Sequence, residues 1–209
     1  MVKGVIFDMD GVLVGTEWYY QQRRAEFFRR MDFRVASNSF VGSGEQAVWE
    51  ALVPEDLEFR HQMMLGYRVY RHLHPMPYRE LLNPQVPGPF QALKEKGLNI
   101  GIASSPYLGA VEEVVRLAGV ETLVDFLISG EQCSAYKPGP EIYLRAMDAL
   151  GLTAETALAV EDSPTGITAA KRVGIRVCAL KPRPELTLDQ SAADVVLEWL
   201  DAVLEYLWT

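Results

Sequence analysis

Six short apolar runs rich in β-branched residues recur along the chain, and amphipathic stretches separate most of them. Runs of this length are typical of buried parallel strands; they cover residues 2–7, 98–103, 124–128, 156–160, 175–180 and 194–197. Four amphipathic stretches end just before a glycine, and three of these begin at a proline, which marks helix limits; they cover 89–96, 108–118, 140–150 and 164–173. A final helix is predicted at 197–208. The alternation predicts an α/β fold built on a doubly wound parallel sheet.

Residues 16–84 interrupt this alternation. They predict helices at 16–31, 44–52 and 54–72, without a convincing strand, and 82–89 has the prolines of a linker. No lysine occurs between Gly4 and Leu93, whereas arginines are frequent there and are expected to form a solvated helix face. The sequence therefore predicts an α/β core made of 1–15 and 85–209, with a helical domain at 16–84 inserted after the first strand.

Charge and composition narrow the class of protein. The net charge of −8 argues against a general nucleic-acid binder, because such proteins usually carry a basic excess. No apolar run approaches the roughly 18 residues needed to span a membrane, and the first run ends in an acidic pair, unlike a signal peptide. Cys133 and Cys178 are isolated thiols, which indicates a reducing compartment. We expect a cytoplasmic protein, a monomer or small homo-oligomer, with no nucleic-acid or membrane partner.

Polar residues follow four of the predicted strands. In open α/β sheets the ligand site lies beyond the carboxyl ends of the strands, so these side chains are expected to converge. In strand order they are Asp8 and Asp10, then Ser104 and Ser105, then Lys137 across a short loop, then Glu161 and Asp162.

Four carboxylates at one edge repel one another. A like-charge pair about 4 Å apart costs roughly 4 kcal/mol at an effective dielectric constant near 20. Either some of them are protonated or a divalent cation lies between them, and oxygen ligands favour a hard ion such as Mg²⁺. With Mg²⁺ and Lys137 present, the site can accept a phosphoryl group, which serine hydroxyls and helix-start amides can hold. A carboxylate can be the nucleophile, and a second one the general acid and base.

These motifs, in this order and spacing across nearly the whole chain, resemble those of the haloacid dehalogenase superfamily. The residues that carry the resemblance are Asp8-x-Asp10-Gly11-Val12, Ser104, Lys137-Pro138 and Glu161-Asp162-Ser163-x-x-Gly166. The resemblance implies a Rossmann-like core with a small α-helical cap domain, and the nearest subgroup is that of β-phosphoglucomutase and phosphoglycolate phosphatase.

The resemblance also implies a role for each residue. Asp8 would be the nucleophile that forms an aspartyl-phosphate, and Asp10 the general acid/base. Mg²⁺ would be bound by Asp8, the backbone carbonyl of Asp10 and Asp162, with Glu161 as a direct or water-mediated ligand. The phosphoryl group would be held by Ser104 and Lys137, with Ser105 as a neighbouring candidate.

The departures from the family pattern separate its branches. Asp10 favours phosphoryl chemistry over the dehalogenase branch, and the lack of lysine in the insertion excludes the Schiff base of the phosphonatase branch. Gly15 stands where the mutases have Asp, Tyr20 where they have His, and Glu45 near their cap arginine. The sequence thus favours a Mg²⁺-dependent phosphatase acting on a small phosphorylated metabolite, a sugar phosphate or a phosphoglycolate-like acid. A phosphomutase and a catalytically silent phosphate-binding protein remain the alternatives.

Structural explanations compete at several of these positions. Asp8 and Asp10 could be turn residues, and Lys137 could be a solvated loop lysine. Ser163 before Pro164 is expected to cap a helix. A metal pair of His72 and His74 is not favoured, since no third ligand accompanies it.

Overall fold

The structure is a computed structural model that describes residues 1–35 and 45–208, except for the side chains of 45–47. Six parallel strands form one sheet in the order β3-β2-β1-β4-β5-β6. They are β1 (Gly4–Phe7), β2 (Asn99–Ser104), β3 (Phe126–Ser129), β4 (Ala157–Glu161), β5 (Arg176–Leu180) and β6 (Val195–Leu197). The predicted doubly wound parallel sheet is confirmed, and its strand order reverses between β1 and β4, where such sheets bind ligands.

Helices cover both faces of the sheet because successive strand residues point to opposite faces. Ile6 packs in a buried cluster with the helices Glu141–Leu150 and Pro164–Arg172, whereas the ring of its neighbour Phe7 lies 4.6 Å from that of Phe90 in the helix Pro87–Glu95. The helix Leu108–Leu117 packs against β3, and the helix Ala202–Trp208 packs against the helix Pro87–Glu95. The helices of this part are α4 (Tyr78–Leu81), α5 (Pro87–Glu95), α6 (Leu108–Leu117), α7 (Glu141–Leu150), α8 (Pro164–Arg172) and α9 (Ala202–Trp208), after α1 to α3 of the insertion.

The chain divides into two compact units, Met1–Gly15 with Tyr78–Thr209, and Thr16–Pro77. The sequence placed the second boundary after residue 84, seven residues later. Residues between these two positions hydrogen-bond to the segment that precedes the insertion: the Gly15 amide donates to the Leu81 carbonyl at 2.9 Å and the Asn83 amide to Leu13 at 2.8 Å. The predicted linker at 82–89 is also too long, because Pro87 already begins α5.

The second unit consists, in its described part, of α1 (Thr16–Arg30), α2 (Glu45–Leu52) and α3 (Leu57–Leu73). Helix α3 begins three residues later than predicted, because the Asp56 side chain caps it by accepting from the Phe59 amide at 2.9 Å. Gly44, the predicted first residue of α2, lies outside the described residues. The unit has an aromatic core, made of Phe27, Phe28, Trp49, Met63 and Tyr67.

Two arginines of α1 contradict the prediction of a solvated arginine face. Arg23 and Arg24 are only 6% and 8% exposed. The Arg23 guanidinium donates to the His74 carbonyl at 3.0 Å and lies 5.5 Å from the ring centre of Tyr20. Sequence periodicity could not show this, because burial of a cation depends on rings and carbonyls from other turns.

Among the described residues no helix has the length and apolarity to cross a membrane.

Candidate active site

The turn after β1 fixes the position of Asp8 and Asp10. The Asp8 amide donates to the Val160 carbonyl of β4 at 2.9 Å, and the Met9 carbonyl accepts from the amides of the residues at 12, 13 and 14. Gly11 has φ +78°, a left-handed conformation that glycine adopts without strain, and its amide donates to Val14 at 2.7 Å. The tight turn therefore holds both aspartates at the point where the strand order reverses.

Lys137 links three of the strand ends. Its Nζ donates to Asp8 Oδ1 at 2.6 Å, to Glu161 Oε1 at 2.6 Å and to the Ala103 carbonyl at 2.9 Å. The side chain is 5% exposed, so it is not a solvated loop lysine. These three contacts use all the donors of an ammonium group. Contact between Lys137 and a phosphoryl oxygen therefore requires one of them to be exchanged or shared.

Glu161 is fully buried at the end of β4 and is held from two sides. Besides Lys137, its Oε1 accepts from the Tyr143 hydroxyl at 2.7 Å, while its Oε2 accepts from the Ser163 hydroxyl at 3.3 Å. Ser163 also caps α8 by accepting from the Gly166 amide at 3.1 Å, as the sequence predicts. A Cβ at Gly166 would lie 2.0 Å from Glu161 Oε1, so only glycine leaves room for this carboxylate.

Asp162 is also buried, and the turn after β1 is shaped around it. A Cβ on Gly11 would lie 1.8 Å from Asp162 Oδ2. The Asp162 carbonyl accepts from the side-chain Nε2 of Gln190 at 2.7 Å, and the same Nε2 donates to the Leu180 carbonyl at 2.8 Å. Gln190 thus ties the end of β4 to the end of β5.

Three buried carboxylates form a potential metal site. Asp8, Glu161 and Asp162 each offer an oxygen atom, and these atoms all lie within 4.8 Å of one another. If all three are ionised, the ammonium of Lys137 leaves two negative charges uncompensated in a buried space. An all-oxygen set with this excess suits a hard divalent ion. The side chain of Asp10 is not in this set, and its predicted part in metal binding is through its backbone carbonyl.

Burial sets the protonation of Asp8. Loss of solvation raises the pKa of Asp8 from 3.8 to about 7, Lys137 opposes this rise, and Glu161 and Asp10 add to it. Burial alone would lower the pKa of Lys137, but the Asp8 and Glu161 carboxylates outweigh it and raise that pKa above its usual value. Lys137 therefore remains a cation, whereas Asp8 is mostly ionised only above about neutral pH or with further positive charge beside it.

The two predicted serines differ in their surroundings. Ser104, the last residue of β2, is buried, and its hydroxyl accepts from the Met9 amide at 3.3 Å. It therefore lies against the turn that carries the aspartates. Ser105 is exposed, and a Cβ on Gly130 would lie 2.9 Å from its carbonyl oxygen.

Two residues that the sequence analysis did not single out take part in this arrangement. Tyr143 is fully buried, and its ring centre lies 5.1 Å from Lys137 Nζ, so it contacts both Lys137 and Glu161. Burial is the main cause that raises the pKa of Tyr143 well above 10, so its hydroxyl remains a donor. The feature that could have indicated it from the sequence is its position, six residues after Lys137 and in the first turn of α7. Gln190 lies in an irregular segment and gave no signal.

The comparison with protein families is consistent with this geometry. The family model described as haloacid dehalogenase-like hydrolase matches residues 5–180. This range includes β1 from Val5 onward, the strands β2 to β5 and every residue of the sequence motifs given above.

Curated relatives and solved structures extend the similarity over most of the chain. A phosphorylated carbohydrates phosphatase from Thermotoga maritima is 32% identical over 180 residues, which are 83% of this chain and 82% of the relative. Hexitol phosphatase B from Escherichia coli is 27% identical over 95% of this chain and 93% of its own. The fold is similar to that of β-phosphoglucomutase from Clostridium difficile, with a TM-score of 0.77 and 20% identity over 99% of this chain and 96% of that one.

Proposed function

The chain belongs to the haloacid dehalogenase-like hydrolase family, and from this premise we propose that it is a Mg²⁺-dependent phosphatase acting on small phosphomonoesters. The observation that carries the proposal is the buried set of Asp8, Glu161 and Asp162, joined by the Lys137 ammonium at the carboxyl edge of the sheet. Two relatives whose names specify phosphorylated carbohydrates and hexitols support a sugar phosphate or related substrate.

Asp8 is the proposed nucleophile. Lys137 binds its Oδ1, which orients the carboxylate and leaves Oδ2 without a hydrogen bond from the described residues. Oδ2 attacks phosphorus, the ester oxygen leaves, and an aspartyl-phosphate forms. Asp10, two residues along the same turn, donates a proton to the leaving oxygen and then takes a proton from the water that hydrolyses the intermediate.

Asp8, Asp162 and Glu161, with the Asp10 carbonyl, are the proposed ligands of Mg²⁺. When bound, the ion would neutralise the transferring phosphoryl group and keep Asp8 ionised. Ser104 is proposed to donate to a phosphoryl oxygen, with Ser105 as the next residue, just after β2. Tyr143 keeps Glu161 in place from behind. The helical unit Thr16–Pro77 is the proposed cap domain.

A panel of phosphomonoesters tests this function directly. The purified protein is assayed for phosphate release with and without Mg²⁺, and we expect release that EDTA abolishes and Mg²⁺ restores. β-Glucose 1-phosphate belongs in the panel, because conversion to glucose 6-phosphate without net release of phosphate identifies a mutase instead. No turnover of any substrate, with ligand binding unchanged in Asp8→Asn, would support a catalytically silent protein.

The covalent step has its own test. Acyl phosphates react with hydroxylamine, so quenching a steady-state reaction into hydroxylamine should leave a hydroxamate on the peptide that contains Asp8, detectable by mass spectrometry. Asp10→Asn should increase the amount trapped if the variant slows hydrolysis more than formation. A modification on any other acidic residue would assign the nucleophile elsewhere.

A further inference from the structure

Arg183 lies at the same edge of the sheet as the candidate active site, in the loop that follows β5. It stands between Pro182 and Pro184, which restrict the backbone on both sides. Its carbonyl accepts from the Leu186 amide at 2.9 Å, closing a turn. The backbone that carries this guanidinium is therefore less free than an ordinary surface loop.

The Arg183 guanidinium lies against Gly15. A Cβ on Gly15 would be 3.0 Å from Nη2, 3.1 Å from Nε and 3.3 Å from Cζ of Arg183. All three are closer than side-chain atoms usually approach, so the guanidinium occupies the space that a side chain at position 15 would fill. At position 15 this chain therefore has a cation beside a bare backbone.

This cation is not neutralised by its surroundings. Arg183 is exposed, and it forms no ion pair with any residue in the described part of the chain. The contrast with Lys137 is direct, because the buried lysine spends its donors on two carboxylates and a carbonyl. The guanidinium fork remains available, and its planar donors match a carboxylate or a phosphate.

Gly15 also places this cation near the reacting groups. Asp10 and Val14 are bridge partners, and Gly15 is the next residue. With about 5 Å between paired strands and 3.8 Å between consecutive Cα atoms, the Cα of Gly15 lies within roughly 9 Å of that of Asp10. A small substrate whose phosphoryl group lies at Asp8 can therefore extend a second charged group toward Arg183.

We propose that Arg183 binds a second anionic group of the substrate, so that this enzyme prefers phosphomonoesters that carry a carboxylate or a second phosphate. The proposal rests on the phosphatase function and specifies its substrate class. Gly15 is part of the same device, because its lack of a side chain lets the guanidinium lie close to the turn that carries Asp10.

Matched substrate pairs test this preference. One pair is 2-phosphoglycolate and the analogue in which an uncharged carboxamide replaces its carboxylate. The other pair is glucose 1,6-bisphosphate and glucose 6-phosphate. We expect the wild-type kcat/KM to be higher for the doubly anionic member of at least one pair. In Arg183→Gln that kcat/KM should fall by ~10-fold or more, mainly through KM, while the singly anionic member changes less than ~3-fold. The pair that responds identifies carboxylate or phosphate as the second group.

Arg176 supplies the matched control. It is an exposed arginine at the first residue of β5, so Arg176→Gln removes the same charge at the opposite edge of the sheet. We expect it to leave the preference intact. Equal effects of the two variants would reduce the result to net charge and overturn the proposal. If the wild type hydrolyses both members of each pair equally, the specificity proposal fails while the phosphatase function stands; if it hydrolyses none, the phosphatase function itself fails.

Position 15 gives a second, independent test. Gly15→Ala and Gly15→Asp both add a Cβ beside Arg183, but only Asp adds a carboxylate that can pair with the guanidinium. We expect Gly15→Asp to reduce the preference for doubly anionic substrates to the level of Arg183→Gln, and Gly15→Ala to reduce it only in part, because its Cβ displaces the guanidinium without neutralising it. Loss of the preference in both variants alike would show that space, and not charge, matters at position 15.

Discussion

Both units of this protein bury charged side chains, but they stabilise them in different ways. In the first unit, Lys137 is surrounded by carboxylates that balance its charge, a group of four with Asp8, Glu161 and Asp162 that we call the carboxylate–lysine cluster. In the second, Arg23 relies on one carbonyl and on aromatic rings, and its Nε is buried without a hydrogen-bond partner among the described residues.

The difference teaches which buried charges the fold depends on. Buried opposite charges that hydrogen-bond one another become strongly unfavourable when one partner is removed, because the other is left uncompensated. A buried guanidinium beside rings leaves behind no isolated charge when it is replaced by an apolar chain of similar size. We therefore expect substitutions in the carboxylate–lysine cluster to have large effects on both activity and stability, and substitution of Arg23 to have a small one.

The largest effect is expected for Asp8→Asn, which should abolish phosphate release because the amide cannot be the nucleophile. The same substitution should increase the free energy of unfolding of the metal-free protein. The folded protein raises the pKa of Asp8 to about 7, so ionisation of Asp8 destabilises the metal-free fold progressively as the pH rises from about 4 through 7. In EDTA at pH 8 the variant should be more stable than wild type by ~1–3 kcal/mol, and this difference should shrink as the pH falls toward 4.

Thermal unfolding at several pH values in EDTA measures this difference. Mg²⁺ supplies an internal control, because the ion should stabilise the wild type more than the variant. A variant that is less stable than wild type at pH 8 in EDTA would mean that the fold alone, with Lys137, holds Asp8 in its charged form. The cluster would then need no metal ion to keep Asp8 ionised.

Asp10→Asn is expected to slow turnover by roughly 10²–10⁴-fold, the usual contribution of a general acid/base. Since the Asp10 side chain lies outside the carboxylate set, Mg²⁺ affinity should change little. Steady-state kinetics gives the first quantity, and Mg²⁺ titration of thermal stability gives the second. Loss of Mg²⁺ binding together with activity would transfer Asp10 from acid/base to ligand.

Lys137→Met should lower the free energy of unfolding by ~3–5 kcal/mol, because Asp8 and Glu161 lose their shared cation. Lys181→Met is the matched control, since Lys181 pairs with Glu198 at 2.8 Å where both side chains are more than half exposed. That surface pair should contribute ~0–1 kcal/mol. Urea denaturation of both variants checks the comparison, and equal losses would show that the cluster confers no special dependence on its lysine.

Arg23→Met is expected to change the stability least, by ~1 kcal/mol or less in either direction. The hydrogen bond to the His74 carbonyl is lost, while the Met side chain keeps an apolar contact with the rings beside it. Hydrogen exchange of the α1 amides measures stability within the second unit. A loss as large as that for Lys137→Met would remove the distinction between the two buried cations, and it would indicate that the rings around Arg23 stabilise its charge strongly.

The sequence predicted the carboxylate–lysine cluster of the first unit far better than the buried arginines of the second, for a physical reason. Parallel strands bring their carboxyl ends to one edge, so knowing that Asp8 and Glu161 end two strands suffices to place them together. Burial of Arg23 depends on helix packing, which the spacing of residues does not specify. Tyr143 was missed for the same reason: its hydroxyl meets Glu161 across 18 positions of sequence. Gln190 was missed because its side chain donates to two backbone carbonyls, and every residue has a carbonyl, so no residue type in the sequence marks its partners.

Gly15, Tyr20 and Glu45, the three departures from the mutase pattern, differ in the contacts that the structure describes for them. Gly15 contacts Arg183, a residue that no motif pointed to. Tyr20 stands near Arg23 in the second unit, so its ring contributes to the surroundings of a buried cation. The side chain of Glu45 lies outside the described residues. The contact of Gly15 with Arg183 joins distant parts of the chain, which single-sequence patterns do not contain.

The close approach of Gly166 to Glu161 has a consequence for how this protein can evolve. Any side chain at position 166 collides with the carboxylate oxygens of Glu161, at 2.0 and 2.2 Å from the new Cβ. Substitution of Gly166 is therefore harmful while Glu161 is present and becomes tolerable once Glu161 has been replaced by a smaller residue. The two positions must change in that order, and lineages of this fold that carry a larger residue at the glycine position should already have lost the acid.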